Sequence, residues 1–240
     1  MGMDKKAAKE LIENGGAILG IEFGSTRIKG VLIGLDNSPI AQGDHEWENR
    51  IDNGIWTYTM DDVWTGLRDC YADLVRNVQE EYGVKLTKLG AIGISAMMHG
   101  YLAFNEKGEL LVPFRTWRNT ITEEASEKLT ELFGYHVPQR WSIAHLYQAI
   151  LNKEPHVKDV RFFTTLSGYV HWNLTGEKVL GVGDASGMFP IDSSTADFNK
   201  KMVVQFDEKI EPYSFPWKLE EILPKSLKAG DDAGRLTEEG

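Results

Sequence analysis

A short polar turn between two apolar runs is the part of this sequence best suited to binding an anion. The turn is Gly24-Ser25-Thr26-Arg27, and the flanking runs, 17–23 and 28–35, predict the two strands of a β-hairpin. Glycine permits a close backbone approach, two hydroxyl groups can donate hydrogen bonds, and arginine supplies a planar cation. Such a turn can hold a phosphate group, although an ordinary hairpin with a polar turn would contain the same residues.

Glu22 ends the first predicted strand, where its carboxylate could hold a hydrated Mg²⁺ ion through water. The segment matches neither the GxxxxGK[ST] phosphate loop nor a GxGxxG sequence that opens a helix. Both of those motifs place phosphate at a helix N-terminus, whereas this turn leads directly into another strand. The sequence therefore favours phosphate binding by a hairpin turn over phosphate binding at a helix N-terminus.

Composition excludes several classes of partner and compartment. A formal net charge of −10 argues against nucleic acid as the main partner, because phosphate backbones attract Lys and Arg. No run approaches the ~20 apolar residues that span a bilayer, so no membrane association is expected. A single cysteine, Cys70, cannot form an internal disulfide, and this indicates a reducing, cytoplasmic location. The charged residues 1–17 are interpreted as a short helical N-terminal extension.

The apolar periodicity predicts an α/β fold with a mixed central sheet flanked by helices, because strands come first and helices then alternate with single strands. Cys70 lies on the apolar face of the longest predicted helix and is interpreted as a buried structural thiol. The predicted strands after the hairpin are 40–47, 89–95 and 160–166, and the predicted helices are 61–82, 122–133, 142–152, 169–174 and one near 195–204.

Three segments follow one another along the chain: GIEFGSTRIKG at the hairpin, AIGISAMMHGYLAFNEKGELLVPFRTWRNT, and LTGEKVLGVGDASGMFPID. Together they contain four motifs, in order, that resemble those of the FGGY carbohydrate kinases, especially their xylulokinase branch. The family typically shows G-I-D-x-G-T-(S/T), I-S-x-Q-M-H-G, W-N-D-x-R, and L-T-G followed by D-A-S-(G/R). Each motif alone is weak, but their common order and spacing over residues 18–223 make the resemblance specific.

The resemblance implies an actin-like ATPase (ribonuclease H-like) fold and ATP-dependent phosphorylation of a sugar hydroxyl, with xylulose or another ketopentose as the expected substrate. It implies ATP and Mg²⁺ as cofactors and a possible homodimer. Residues 18–240 would be the N-terminal sugar-binding domain, with the C-terminal ATP-binding domain absent from this chain. The family's general base is an Asp in a G-D-(N/Q) segment, which is expected beyond Gly240. No catalytic residue is therefore assigned here, and the chain alone is expected to be inactive.

The resemblance also assigns roles to individual residues. The carboxylate of Glu22 stands where the family usually has Asp, and an amide at position 119 replaces the family's acid. Four histidines match no family motif and are interpreted as structural or surface residues: His136, His145, His156 and His171. The implied phosphate and Mg²⁺ ligands are Glu22, Gly24, Ser25, Thr26 and Arg27, and the implied sugar ligands are Met98, His99, Gly100, Trp117, Asn119 and Asp184.

Two other functions remain open on the sequence alone. One is an actin-like or chaperone-ATPase-like nucleotide-binding module without sugar chemistry, and the other is a catalytically silent homologue that senses sugar. The M-H-G and D-A-S-G segments argue against the first, because such modules need no sugar pocket.

Overall fold

The computed structural model describes residues 4–240, which form two compact units. The first unit comprises the described residues up to Asn49 together with Tyr58–Met97, and the second comprises Arg50–Thr57 and Met98–Gly240. The helices are α1 (Lys5–Glu13), α2 (Met60–Tyr82), α3 (Glu123–Phe133), α4 (Ser142–Leu151), α5 (Leu166–Thr175), α6 (Val182–Ala185), α7 (Lys200–Ile210) and α8 (Leu219–Ile222). The strands are β1 (Ile18–Phe23), β2 (Arg27–Ile33), β3 (Pro39–Glu46), β4 (Arg50–Asp52), β5 (Ile55–Thr57), β6 (Ala91–Ala96), β7 (Leu102–Phe104), β8 (Phe162–Thr164), β9 (Val179–Gly181), β10 (Ile191–Asp192), β11 (Asp197–Phe198) and β12 (Lys225–Leu227).

A four-stranded mixed sheet forms the first unit, in the order β3-β2-β1-β6. Strand β2 is antiparallel to β1 and β3, whereas β6 is parallel to β1. The register places Glu22 of β1 opposite Lys29 of β2 and opposite Ser95 of β6. The predicted hairpin and mixed sheet are confirmed.

Helix α2 covers one face of this sheet. Its buried positions Val63, Cys70, Leu74 and Val78 recur at helical spacing. A capping box at Thr59 begins the helix, and Gly83 ends it in the left-handed conformation. Burial raises the pKa of the Cys70 thiol to about 11, which supports a structural role. Among residues 4–240, no helix has the length and apolarity that crossing a membrane requires.

A pair of glycines sets how closely α2 approaches the sheet. Gly30 of β2 and Gly43 of β3 are register partners. A Cβ atom on Gly43 would overlap the Cys70 carbonyl oxygen and the Leu74 amide nitrogen, and one on Gly30 would lie 3.3 Å from Cys70 Sγ. The backbone of α2 therefore packs directly against the sheet at Gly43, in the space that a side chain at position 43 would occupy.

The second unit is built around helix α4, of which Ser142–Ile150 are all buried. Its strands form two-stranded pairs: β4 with β5, β7 with β8, β9 with β12, and β10 with β11. The hydrophobic core around α4 is rich in aromatic and branched side chains, which include Leu129, Ile143, Tyr147, Phe163, Phe189, Phe206 and Trp217.

Several polar side chains lie within or beside this apolar core. The Tyr101 hydroxyl lies 3.0 Å from His156 Nε2, and Arg115 forms an ion pair with Glu154. His145 is completely buried beside the Tyr101 ring, and neither of its ring nitrogens has a hydrogen-bond partner among residues 4–240. Burial lowers the pKa of His145 to about 3, because the charged ring could not be solvated there. His145 and His156 are buried in the structure, in line with the structural role expected for them.

Two helix predictions differ from the structure. The helix predicted near 195–204 is α7 at Lys200–Ile210, because β11 occupies Asp197–Phe198 and the Asn199 side chain caps α7 by accepting from the Met202 amide. The helix predicted over 169–174 is the C-terminal part of α5, which begins at Leu166 after the N-cap residue Thr165. The N-cap side chains of Thr165 and Asn199, rather than the apolar spacing, determine where the two helices begin.

The Gly43→Ala substitution should destabilise the first unit by about 2–3 kcal/mol, because the new methyl group overlaps the α2 backbone. The matched control is Gly93→Ala, also in a strand of this sheet, where a Cβ atom would meet nothing within 4 Å. The control should be neutral or stabilise by a few tenths of a kcal/mol. Urea unfolding measures both variants, and equal stabilities would contradict the close docking of α2.

The His145→Phe substitution should make the free energy of unfolding less dependent on pH in acid. In the folded protein His145 has a pKa of about 3 and stays neutral at pH 5. In the unfolded chain the same histidine binds a proton below about pH 6.5. Wild-type stability therefore falls as the pH drops from about 6.5 toward 3, by up to about 1.4 kcal/mol per pH unit through this residue. Urea midpoints at pH 7.0 and 5.0 measure the effect. The exposed His136→Gln control should keep the wild-type slope, and an unchanged slope in His145→Phe would refute the assignment.

Candidate functional site

The predicted phosphate turn is a tight bend in the first unit. The Gly24 amide donates to the Arg27 carbonyl oxygen at 2.9 Å, which leaves Ser25 and Thr26 at the tip. A Cβ atom on Gly24 would lie 2.9 Å from that same carbonyl oxygen, closer than real Cβ contacts come. Glycine is therefore required at position 24 by close backbone approach.

Two aromatic side chains hold this bend from one side. Trp47 Nε1 donates to the Gly24 carbonyl at 2.8 Å, and the Tyr58 hydroxyl donates to the Ser25 carbonyl at 2.6 Å. The two rings stack with their centroids 4.1 Å apart, and both side chains are buried. Neither residue was predicted from the sequence, because their spacing from the turn does not indicate the contact.

The Arg27 guanidinium is already paired with acidic side chains. Its Nη2 lies 2.7 Å from Glu46 Oε1 and its Nε lies 3.1 Å from Asp44 Oδ2. The pairing follows from the register, because Arg27 stands opposite Glu46 on β3. The role predicted for Arg27 at a phosphate stays a prediction, and a ligand would have to compete with these two carboxylates.

Glu22 offers one exposed carboxylate for a metal ion. Its neighbours in the sheet are Lys29 and Ser95, and residues 4–240 contain no group of three or more His, Cys, Asp or Glu side chains that could hold a metal. A single carboxylate fits a water-mediated contact to a Mg²⁺ ion that arrives with its ligand. It does not amount to a metal site built by the protein.

In the second unit, the Met98-His99-Gly100 segment makes a sharp change of direction. His99 has φ 70° and Gly100 has φ 88°, and both lie in the left-handed region. His99 Nδ1 lies 3.2 Å from the Gly187 carbonyl oxygen. A carbonyl can only accept, so Nδ1 carries the proton in this contact. Burial lowers the pKa of His99, which favours the neutral ring and leaves Nε2 as a hydrogen-bond acceptor.

Asp184 is fixed through one carboxylate oxygen only. Oδ2 accepts from Thr165 Oγ1 at 2.7 Å and from Ser167 Oγ, while Oδ1 is buried without a hydrogen-bond partner among residues 4–240. Burial raises the pKa of Asp184, and the two hydroxyl donors oppose that rise. Asp184 therefore presents one unpaired oxygen. The sequence did not predict the contribution of Thr165 and Ser167, because only the fold brings the start of α5 close to α6.

Gly187 connects these two groups. Its amide donates to the Asp184 carbonyl at 2.9 Å, and its own carbonyl accepts from His99. A Cβ atom on Gly187 would lie 2.6 Å from His99 Nδ1 and 3.2 Å from Met98 Cε. The structure thus brings together four residues of the predicted sugar site: Met98, His99, Gly100 and Asp184.

The predicted sugar ligands Trp117 and Asn119 differ in accessibility. Asn119 is 3% exposed, and its Nδ2 donates to the Trp56 carbonyl at 2.8 Å and to the Thr116 carbonyl at 3.0 Å. Its Oδ1 accepts from the Trp56 amide at 2.9 Å, so the amide group is engaged in positioning β5. Trp117 is 37% exposed, and the Arg118 guanidinium lies 5.7 Å from its ring centroid. Direct sugar contact stays a prediction for both, and this geometry favours a positioning role for Asn119.

Residues 17–239 match the model of the FGGY family of carbohydrate kinases, N-terminal domain. The chain belongs to this family. The match confirms the resemblance drawn from the four motifs, and it begins one residue before β1.

Known proteins of different substrate specificity are similar to the FGGY chain. A glycerol kinase of Aquifex aeolicus (strain VF5) is 24% identical over 221 residues, which cover 87% of this chain and 42% of that protein. The crystal structure of a gluconate kinase from Lactobacillus acidophilus superposes with a TM-score of 0.76 at 17% identity, over 93% of this chain and 44% of that one. A xylulose kinase from Rhodospirillum rubrum has a TM-score of 0.72 at 20% identity, over 93% and 46%. The chain thus spans less than half the length of each.

The superposed structures confirm the fold of the FGGY chain, and the family model over residues 17–239 shows its family. The predicted α/β, actin-like ATPase fold is that of the superposed kinase structures. The three proteins are named for three different substrates, so the preference for xylulose stays a prediction. The individual site residues likewise stay predictions.

The Gly187→Ala substitution should displace the His99 ring and break its Nδ1 contact, because the new methyl group would lie 2.6 Å from that nitrogen. Nitrogen-15 NMR of wild-type His99 should show the Nδ1–H tautomer and a pKa below the usual 6.5, because burial disfavours the charged ring. In the variant the tautomers should mix. The control Gly183→Ala, where a Cβ atom would meet nothing within 4 Å, should retain the wild-type spectrum. An unperturbed His99 in Gly187→Ala would show that the contact is not formed in solution.

Proposed function

We propose that this chain supplies the sugar-binding and phosphate-binding part of an ATP-dependent kinase that phosphorylates a hydroxyl group of a small sugar or polyol. The observation that carries the proposal is the unpaired, buried Oδ1 of Asp184, held in place by hydroxyl donors on Oδ2. A buried acceptor without a donor is costly, and a ligand hydroxyl would satisfy it. Membership of the FGGY family supports the same assignment.

The proposed sugar site accepts hydrogen bonds at two places. His99 Nε2 and Asp184 Oδ1 are both acceptors, and Gly187 fixes the two residues relative to each other. Sugars and polyols carry several neighbouring hydroxyl groups, each of which can donate. Trp117 presents a partly exposed indole that can pack on the apolar face of a sugar ring or chain. In this proposal Met98 and Gly100 shape the site, and Asn119 holds β5 through Trp56.

Among substrates, a ketopentose such as xylulose is the first candidate, because the M-H-G and D-A-S-G segments resemble the xylulokinase branch. The similar glycerol, gluconate and xylulose kinases differ in substrate, so ribulose, glycerol and sugar alcohols are tested beside it. These ligands differ in chain length and in the number and configuration of their hydroxyl groups, and a buried acceptor left unpaired by the wrong ligand provides the discrimination.

In the proposed mechanism, the phosphates of ATP bind at the Gly24–Arg27 turn of the first unit. Bound Mg²⁺ would neutralise negative charge on the phosphates, and Glu22 would hold it through water. Ser25 and Thr26 donate to phosphate oxygens, and phosphoryl transfer then depends mainly on positioning and electrostatics. The general base that accepts the proton of the sugar hydroxyl is proposed to be an Asp beyond Gly240.

The Asp184→Asn substitution should weaken sugar binding by at least tenfold. The asparagine oxygen can take over the bonds from Thr165 and Ser167, so its NH₂ group would replace the unpaired acceptor with a donor. Isothermal titration of xylulose, ribulose, xylitol, glycerol and gluconate measures the effect. The control Asp192→Asn changes a half-buried carboxylate at the end of β10 that accepts from the Ser194 amide, and it should bind as wild type does.

A coupled ADP-release assay on the 240-residue chain completes the test, with no sustained turnover expected. Turnover at the rate of a complete kinase would refute the assignment of the base beyond Gly240. Stabilisation by ADP with no response to any sugar would instead favour a nucleotide-binding module. Sugar binding without any response to nucleotide would favour a sugar sensor.

A further inference from the structure

We propose that Trp47 and Tyr58 are positioning residues that aim the amide N–H groups of Ser25 and Thr26 at a bound phosphate. This inference rests on the proposed function, because it takes the turn as the place where phosphate binds. The two aromatic residues belong to the same unit as the turn, and none of the sequence motifs includes them.

The direction of the two amides follows from peptide geometry. In a trans peptide the carbonyl group and the next residue's N–H point to opposite sides of the chain, and residues 4–240 contain no cis peptide. The Gly24 carbonyl points to Trp47 Nε1, so the Ser25 N–H points away from the aromatic pair. The Ser25 carbonyl points to the Tyr58 hydroxyl, so the Thr26 N–H points away as well.

Each carbonyl of the turn has a donor from the protein. The Gly24 and Ser25 carbonyls accept from the two aromatic side chains, the Thr26 carbonyl accepts from the Trp47 amide at 3.1 Å, and the Arg27 carbonyl accepts from the Gly24 amide. The Ser25 and Thr26 amides have no acceptor among residues 4–240. A bend whose carbonyls are all engaged, and whose tip amides are not, presents donors to an anion.

The charges around the turn make these donors important. Three carboxylates, those of Glu22, Asp44 and Glu46, share the sheet face with the cations Arg27 and Lys29. Arg27 is paired with two of those carboxylates, so its charge is largely compensated before any ligand arrives. Phosphate binding at this turn must therefore depend on correctly aimed backbone donors more than on net side-chain charge.

The aromatic pair is rigid enough to set this direction. Trp47 is 6% exposed and Tyr58 is 1% exposed. The Phe23 ring packs against Trp47 at 6.1 Å, and the Tyr58 hydroxyl also contacts Met97 Sδ at 3.8 Å. Removing either donor would release one carbonyl, and the attached peptide could then rotate its N–H away from the ligand.

The test uses the Tyr58→Phe substitution, which keeps the ring and removes only the hydroxyl donor to Ser25. The probe is magnesium tripolyphosphate, titrated into the 240-residue chain and followed by calorimetry and by the amide NMR signals of Ser25 and Thr26. Wild type should bind the probe with shifts at both amides, and Tyr58→Phe should bind at least tenfold more weakly. The matched control is Tyr82→Phe, which removes a tyrosine bond to the Ile40 carbonyl at 2.9 Å in the same unit and should retain wild-type affinity.

A second variant, Trp47→Phe, removes the Nε1 donor to the Gly24 carbonyl and should also bind the probe at least tenfold more weakly. It tests the same inference if Tyr58→Phe does not fold. Wild-type binding that both variants retain would overturn the positioning role and leave the phosphate turn intact. Equal losses in Tyr58→Phe and Tyr82→Phe would overturn it too, since a general loss of stability would explain them. Absence of wild-type binding, or shifts only outside the turn, would overturn both this inference and the phosphate site of the proposed function.

Discussion

The antiparallel pairing of β1 with β2 is the interaction on which the candidate phosphate site depends. Its register places Gly24–Arg27 at the bend and turns Ile28, Gly30 and Leu32 toward the face that α2 covers. The alternate residues, among them Glu22 and Lys29, then lie on the exposed face. A slip of one residue would exchange these faces and bury charge against α2. The close docking of α2 at Gly43 makes such a slip more costly still, because the larger neighbours of this glycine cannot occupy its place.

The two candidate sites obtain their polar specificity in the same way, although each belongs to a different unit. In the first unit, Trp47 and Tyr58 engage the carbonyls of the turn and leave its tip amides as donors. In the second unit, Thr165 and Ser167 engage one oxygen of Asp184 and leave the other as an acceptor. Both arrangements pre-organise a polar group through neighbouring donors, so that a ligand meets it already oriented.

The sequence predicted what depends on local patterns. The hairpin, helix α2 and the mixed sheet follow from apolar spacing and turn residues, and the structure confirms them. The Arg27 ion pairs and the partners of Asp184 depend on register and on contacts between distant segments, which spacing along the chain does not encode. Asn119 shows the same limit, because the motif pointed to a polar side chain whereas the fold used its amide to hold β5. Long-range hydrogen bonds, rather than secondary structure, were thus the unpredicted part of each site.

Within the proposed function, the chemistry of the sugar site favours a neutral hydroxylated ligand at His99 and Asp184. Both groups present acceptors, and a hydroxyl group can donate to either. The carboxylate of a sugar acid is an acceptor only, so beside an ionised Asp184 it would add like-charge repulsion to an unmet hydrogen bond. Burial raises the pKa of Asp184, but the Thr165 and Ser167 hydroxyls stabilise its charged form. A sugar acid would therefore have to turn its hydroxylated end toward these two residues and its carboxylate elsewhere.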